Sequence, residues 1–204
     1  KKSHQEMLRE DEIIMAVEAA ASLGVNKLRI TGGEPLVKKN ILSICRRAAG
    51  VAGIDELCLT TNGTLLPELA LPLKEAGVHR LNISLDTLRP ERYSYITRTG
   101  SLEQAIKGIE AALAAGFEKL KINTVLIGGF NEDEIEELAQ LTRLYPLDLR
   151  FIEMMPMYDG GDFGPEAFIP YTRVLERLPE LESVQPDGGV ARLFRLPGAL
   201  GRVG

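Results

Sequence analysis

The octapeptide Leu28–Pro35, LRITGGEP, sets two adjacent glycines between an arginine and a glutamate, directly after a short apolar segment. Glycine has no Cβ, so backbone at such a pair can approach a ligand closely. Small polar residues also follow each later apolar segment: Thr60-Thr61-Asn62-Gly63, Ser84-Leu85-Asp86, Asn123-Thr124 and Glu153-Met154-Met155-Pro156. Singly, each has an ordinary reading. Thr-Asn-Gly makes a turn, Ser-Leu-Asp caps a helix, and paired methionines fill a core. Three cations, Arg29, Lys121 and Arg150, lie inside apolar segments, where lysine and arginine are uncommon if both faces are buried. They either pair with nearby carboxylates, point outward at a strand end, or converge on an anionic ligand. Arginine suits phosphate through its bidentate fork and lysine as a point charge. Five polar segment ends and three inward cations together favour a binding face for a phosphorylated ligand.

Other chemistries lack their residues. There is no GxGxxG, no GxxxxGK[ST] and no serine nucleophile elbow. Two histidines, His4 and His79, do not make a metal site alone, and Cys45 and Cys58 are too few for a disulfide framework or a thiolate cluster. The net charge of -5 gives no general basic field, so nucleic acid is not the expected partner. No apolar run approaches the ~18 residues of a membrane span. The start, KKSHQEMLREDE, has no apolar core of a secretory signal. A cytoplasmic protein with two reduced thiols is expected.

The elements that must position these residues alternate. Ile13, Ile14, Val17, Ala20, Ala21 and Leu23 recur at helical spacing before Gly24. Strands are predicted over Asn26–Thr31, Glu56–Thr60, His79–Leu85, Lys119–Leu126 and Leu147–Glu153. Helices are predicted over 38–49, Pro67–Ala76, Ser101–Ala115 and 132–144, with a Ser101/Gln104 capping box and Asn131 as an N-cap. Strand ends near 31, 60, 86, 125 and 153 have the period of parallel βα units. Periodicity alone leaves an open doubly wound sheet and a partial βα barrel as alternatives. In both, ligands bind at the carboxyl ends of strands. Beyond Pro156 the pattern changes: a loop over Tyr158–Pro165, a short helix over 171–178, and a hairpin over Ser183–Leu196 turning at Asp187-Gly188-Gly189. A helix before the first strand suggests a further strand ahead of Lys1.

The motifs LRITGGEPL, TTNGTLL, LNISLDTLRPERYSYITR, KINTVLIGGFNEDEI and RFIEMMPM resemble, in order and spacing, the radical S-adenosylmethionine (SAM) superfamily and within it the GTP 3',8-cyclase family of molybdenum-cofactor biosynthesis. The match runs over roughly residues 10 to 160. It implies an α/β fold, a partial parallel (βα) barrel over 1–156, with an extension over 157–204 that holds a short helix and a hairpin. It implies that Gly33 takes the SAM amino group through its backbone. Ser84 would meet the SAM carboxylate or ribose, and Met155 the adenine through its backbone. Arg29, Thr60 and Lys121 would bind GTP, joined by Arg150 in the same pocket. The family's reaction starts from a reduced 4Fe–4S cluster splitting SAM and ends with C3' of GTP joined to C8. A second 4Fe–4S cluster holds the purine. Neither cysteine motif is present here, so the resemblance implies a fragment that alone holds no cluster. A radical SAM enzyme acting on a peptide, or a non-catalytic βα binding domain, are the competing readings. A homodimer is compatible with the sequence.

Overall fold

A computed structural model describes residues 8–98, 100–155, 163–185 and 191–204. His4, most of the Tyr158–Pro165 loop and the Asp187-Gly188-Gly189 turn lie outside the described residues. The chain runs α1 (Glu10–Ser22), β1 (Lys27–Ile30), α2 (Ile41–Ala49), β2 (Glu56–Thr61), α3 (Leu66–Glu75) and β3 (Arg80–Ser84). It continues through α4 (Pro90–Thr97), α5 (Leu102–Ala114), β4 (Leu120–Leu126), α6 (Ile135–Leu144) and β5 (Asp148–Glu153). The extension holds α7 (Thr172–Arg177), β6 (Glu182–Ser183), β7 (Phe194–Arg195) and β8 (Arg202–Val203).

The sheet order is β1-β2-β3-β4-β5-β8-β7-β6, with β1 to β5 all parallel. Each of β1 to β4 pairs with its successor in sequence. A doubly wound sheet would reverse its order at a switch point, so the winding is that of a barrel, and the sheet is left open. β8 then adds in parallel to β5, while β8, β7 and β6 pair antiparallel. The expected hairpin is therefore present in its strands, Glu182 opposite Arg195 and Ser183 opposite Phe194.

Side chains alternate faces along a strand. Leu57 and Leu59 of β2, Leu81 and Ile83 of β3, Leu120, Ile122 and Leu126 of β4, and Leu149 of β5 are buried in one core. They meet Leu66, Ala70 and Leu73 of α3, Ala105, Ile109 and Ala112 of α5, and Ile135, Leu138 and Ala139 of α6. Each such leucine or isoleucine contributes roughly 1.5–3 kcal/mol by leaving water. The other parity is polar: Arg29, Thr60, Asn82, Ser84, Lys121, Asn123, Asp148 and Arg150 share the opposite face by register. One face is thus apolar and helix-covered, and the other is built for contacts of another kind.

Three elements depart from the sequence reading. α2 begins at Ile41 rather than 38, because Pro35–Val37 forms a 3₁₀ turn first. α4 was not anticipated; Pro90 at its first turn pre-sets the helical φ. Asn131 does not cap a helix: its side chain accepts from Ile127 N and donates to the Asp86 and Val125 carbonyls, and 3₁₀ residues Glu132–Glu134 precede α6. Ser101 does cap α5, accepting from Gln104 N.

Gly108 of α5 lies directly on the turn after β2. A Cβ there would stand 2.1 Å from the Gly63 carbonyl oxygen, and Gly63 itself has φ +81°. Gly108→Ala should therefore push α5 off the Thr61-Asn62-Gly63 turn. We expect a loss of about 1–3 kcal/mol, read as a lower urea midpoint with an unchanged slope.

Candidate functional site

The loop after β1 bends through Gly32 at φ +146°, and a Cβ placed on Gly32 or Gly33 would meet nothing within 4 Å. The two glycines face open space. Glu34 borders the same cavity as the two glycines and locks the loop in place. Its Oε1 accepts from Thr61 Oγ1 at 2.7 Å and from Leu36 N at 3.0 Å, and its Oε2 accepts from Asn62 N at 2.7 Å. The loop and the end of β2 thereby border one cavity of about 350 Å³, lined among others by Gly32, Gly33, Thr60, Asn62 and Ser84.

Two further polar ties hold the rim. Asp86 does not cap a helix; it accepts from Val125 N at 2.8 Å, while Thr124 Oγ1 donates to the Leu85 carbonyl at 2.6 Å. Glu134, fully buried, accepts from Thr87 Oγ1 (2.7 Å), Leu88 N (2.6 Å) and Arg92 Nη1 (2.6 Å). The segments leaving β3 and β4 are thus clamped together, which fixes Ser84 at the rim. Burial pushes the Asp86 carboxyl above its usual range of 3.8, offset in part by the Val125 N–H. A carboxyl whose pKa is raised by folding stabilises the fold fully below its unfolded value, and that contribution is lost as pH rises through the raised value. Asp86→Asn keeps the acceptor and removes the charge. The variant should melt higher than the parent at pH 7 to 8, with the difference vanishing near pH 3.

Deeper on the same face, residues align in rows: Arg29, Cys58 and Arg80; then Thr60, Asn82, Lys121 and Asp148; then Ser84, Asn123 and Arg150. Glu56 faces three cations, Arg80 Nη2 at 3.1 Å, Lys119 Nζ at 3.7 Å and Lys27 Nζ at 3.9 Å. Asp148 accepts two bonds of 2.7 Å from Arg202, and stands 3.6 Å from Arg150 Nη2. Arg29 has no ion pair among the described residues. Arg29, Arg80, Lys119, Lys121 and Arg150 outnumber Glu56 and Asp148, so this face attracts anions. Among the described residues, Arg80 Nε, Asn82 Oδ1 and Arg150 Nε and Nη2 on this face, and the Tyr93 hydroxyl in the helix-side core, are buried without hydrogen-bond partners. Such groups are costly to leave unpaired, and all but the Tyr93 hydroxyl lie on one face.

The residues singled out from sequence are therefore distributed over a common surface. Gly33, Thr60 and Ser84 share the rim cavity. Arg29 and Lys121 stand on the strand interiors below it. Arg150 is buried two strands from Ser84 on the same face and stands 3.6 Å from Asp148, as the pairing reading expects. Met155 follows β5, is exposed, and does not line the rim cavity. The sequence reading missed Arg80, Asn82, Glu56 and Lys119. Their signal was strand alternation, since Arg80, Asn82 and Ser84 take the parity opposite Leu81 and Ile83. His79 is structural, accepting from Leu57 N at 3.1 Å.

The open backbone at Gly32 and Gly33 and the hydroxyls beside it fit the polar end of SAM. Iron–sulfur clusters do not fit the residues described. Among them no three His, Cys, Asp or Glu stand together as a metal-binding group. Both thiols are buried and pushed up by that burial, Cys45 to about 11. No helix among the described residues is long and apolar enough to cross a membrane.

Residues 1–142 match the family model of the Radical SAM superfamily. A GTP 3',8-cyclase of Alkaliphilus metalliredigens (strain QYMF) is 46% identical over 205 residues, covering 100% of this chain and 64% of the relative. One from Pelotomaculum thermopropionicum is 49% identical over 207 residues, covering 98% of this chain and 64% of the relative. This chain thus spans about 64% of the length of these curated relatives. Among solved structures, a radical SAM methyltransferase from Sphaerobacter thermophilus superposes with a TM-score of 0.67 at 19% identity, over 84% of this chain and 54% of that one. Methylornithine synthase gives 0.67 at 16% identity, over 84% of this chain and 52% of that one. At such identities these two establish the fold alone.

Proposed function

Since the chain belongs to the radical SAM superfamily, we propose that it is the SAM- and nucleotide-binding part of a GTP 3',8-cyclase, which rearranges GTP in molybdenum-cofactor biosynthesis. One observation carries this reading. The strand register sets Arg29, Thr60, Lys121, Ser84 and Arg150 on a single cation-rich face beneath the Gly32-Gly33 loop. The identity to GTP 3',8-cyclases supports it.

SAM, given one electron by a reduced 4Fe–4S cluster that none of the described residues would hold, would supply the means of removing a hydrogen from the substrate's sugar. The chain's own residues bind and orient. Backbone at Gly33 and the Ser84 hydroxyl hold the amino-acid and ribose parts of SAM at the rim, with Met155 backbone toward its adenine. Arg29, Lys121 and Arg150 hold the GTP phosphates, and Thr60 donates or accepts beside them. The helix-covered core behind the sheet keeps this surface rigid, so the positioning is prepaid in the fold. The same reading puts the protein in the cytoplasm and is compatible with a homodimer.

Calorimetric titration of GTP, with tripolyphosphate and an unrelated peptide as comparisons, tests the proposal. GTP binding that falls at least about 10-fold in both Arg29→Ala and Lys121→Ala is expected. Peptide binding without GTP binding would favour a peptide-modifying enzyme. Binding of neither would favour a non-catalytic βα domain.

A further inference from the structure

We propose that Asn82 reads the ribose hydroxyls of the nucleotide, an inference that rests on the GTP reading above. Asn82 stands in register between Thr60 on β2 and Lys121 on β4, so its flanks on both sides are residues proposed to hold substrate. It is 4% exposed, and among the described residues its Oδ1 has no hydrogen-bond partner. A buried amide oxygen left unpaired in the free protein calls for a partner that arrives later. An amide carbonyl accepts from O–H or N–H and carries no charge, so it adds nothing to phosphate attraction on a face already rich in cations.

Depth decides which part of the nucleotide it meets. Asn82 is two residues below Ser84 at the rim and two above Arg80, a step of about 6.6 Å each way. SAM acts on the sugar, so the sugar must sit just below the rim cavity. The phosphates belong with the cations around it. The sugar's two hydroxyls are the donors that fall to Asn82. A site that hydrogen-bonds a substrate hydroxyl rejects an analogue lacking it, because its own polar group is then stranded.

The test titrates GTP, 2',3'-dideoxyguanosine triphosphate and tripolyphosphate into the parent chain, Asn82→Leu and Asn82→Asp. The parent should prefer GTP over the dideoxy analogue by about 10-fold or more. Asn82→Leu should lose that preference, keep its tripolyphosphate affinity, and melt no lower than the parent, since an unpaired amide has been replaced by an apolar isostere. Asn82→Asp keeps an acceptor and should keep the preference for the hydroxylated sugar. If the parent binds GTP and Asn82→Leu binds it equally well with the same preference, this inference falls and the GTP reading stands. If the parent binds no guanosine nucleotide, the GTP reading fails and takes this inference with it.

Discussion

Replacing Glu134 by alanine should cost the fold about 2–5 kcal/mol, from two buried donors each left without an acceptor at about 1–3 kcal/mol. The carboxylate is fully buried and serves three donors on the far side of the site: the Thr87 hydroxyl, the Leu88 backbone and Arg92. Truncation strands two of them inside the protein. The Arg92 side chain is one-third exposed and keeps Asp133, so it suffers least. Glu134→Gln, which retains one acceptor, should cost about 1–3 kcal/mol. Urea unfolding measures both. A change within about 0.5 kcal/mol for the alanine variant, the range of ordinary surface substitutions, would mean that the clamp between the β3 and β4 exits contributes little.

The second large effect is at Glu34, where stability and binding move together. Its carboxylate takes the Thr61 hydroxyl and the Asn62 and Leu36 amides, and so ties the Gly32-Gly33 loop to the end of β2. Glu34→Ala should lower stability by about 2 kcal/mol, the scale of hydrogen bonds to a charged group. It should also weaken SAM binding by at least about 10-fold, because the two walls of the rim cavity are no longer held at a fixed separation. Glu34 lines the rim cavity, but both of its carboxylate oxygens are taken up by these three protein donors. Its effect is on position, so Glu34→Gln, which keeps an acceptor oxygen, should restore part of both losses. Unfolding and SAM titration on the same samples check this. Lost stability with unchanged SAM affinity would separate the loop from the site.

The strands were legible because their apolar parity is strict. Leu81, Ile83 and Leu85 alternate with polar residues, and the same parity recurs in Leu120, Ile122 and Leu126. Sequence left the winding open, because a βα period carries no information about which neighbour a strand chooses. The sequential register of β1 to β5 supplied that. α4 was hidden because its sequence, PERYSYIT, has little apolar periodicity and buries only Tyr93. The roles of Asp86, Asn131 and Glu134 were also hidden. Asp86 and Asn131 look like local caps and Glu134 like part of the 132–144 helix, yet Asp86 bonds a residue 39 positions away and Glu134 bonds residues 46 and 47 away. Only tertiary contact reveals such partners. At the site, Arg29, Lys121 and Arg150 were visible as charges in the wrong place. Arg80 and Asn82 were equally visible in the alternation, but from sequence the polar parity of a strand reads as its solvated face, and here Asn82 is buried.

The face itself is most directly tested by a crystal structure of the chain with GTP and SAM. The account predicts nucleotide density on the polar face of β1 to β5, with phosphate oxygens within hydrogen-bond distance of Arg29 and Lys121, and SAM against Gly33 and Ser84 at the rim. Nucleotide bound on the helix-covered side or in the extension, with the polar face left to solvent, would contradict it.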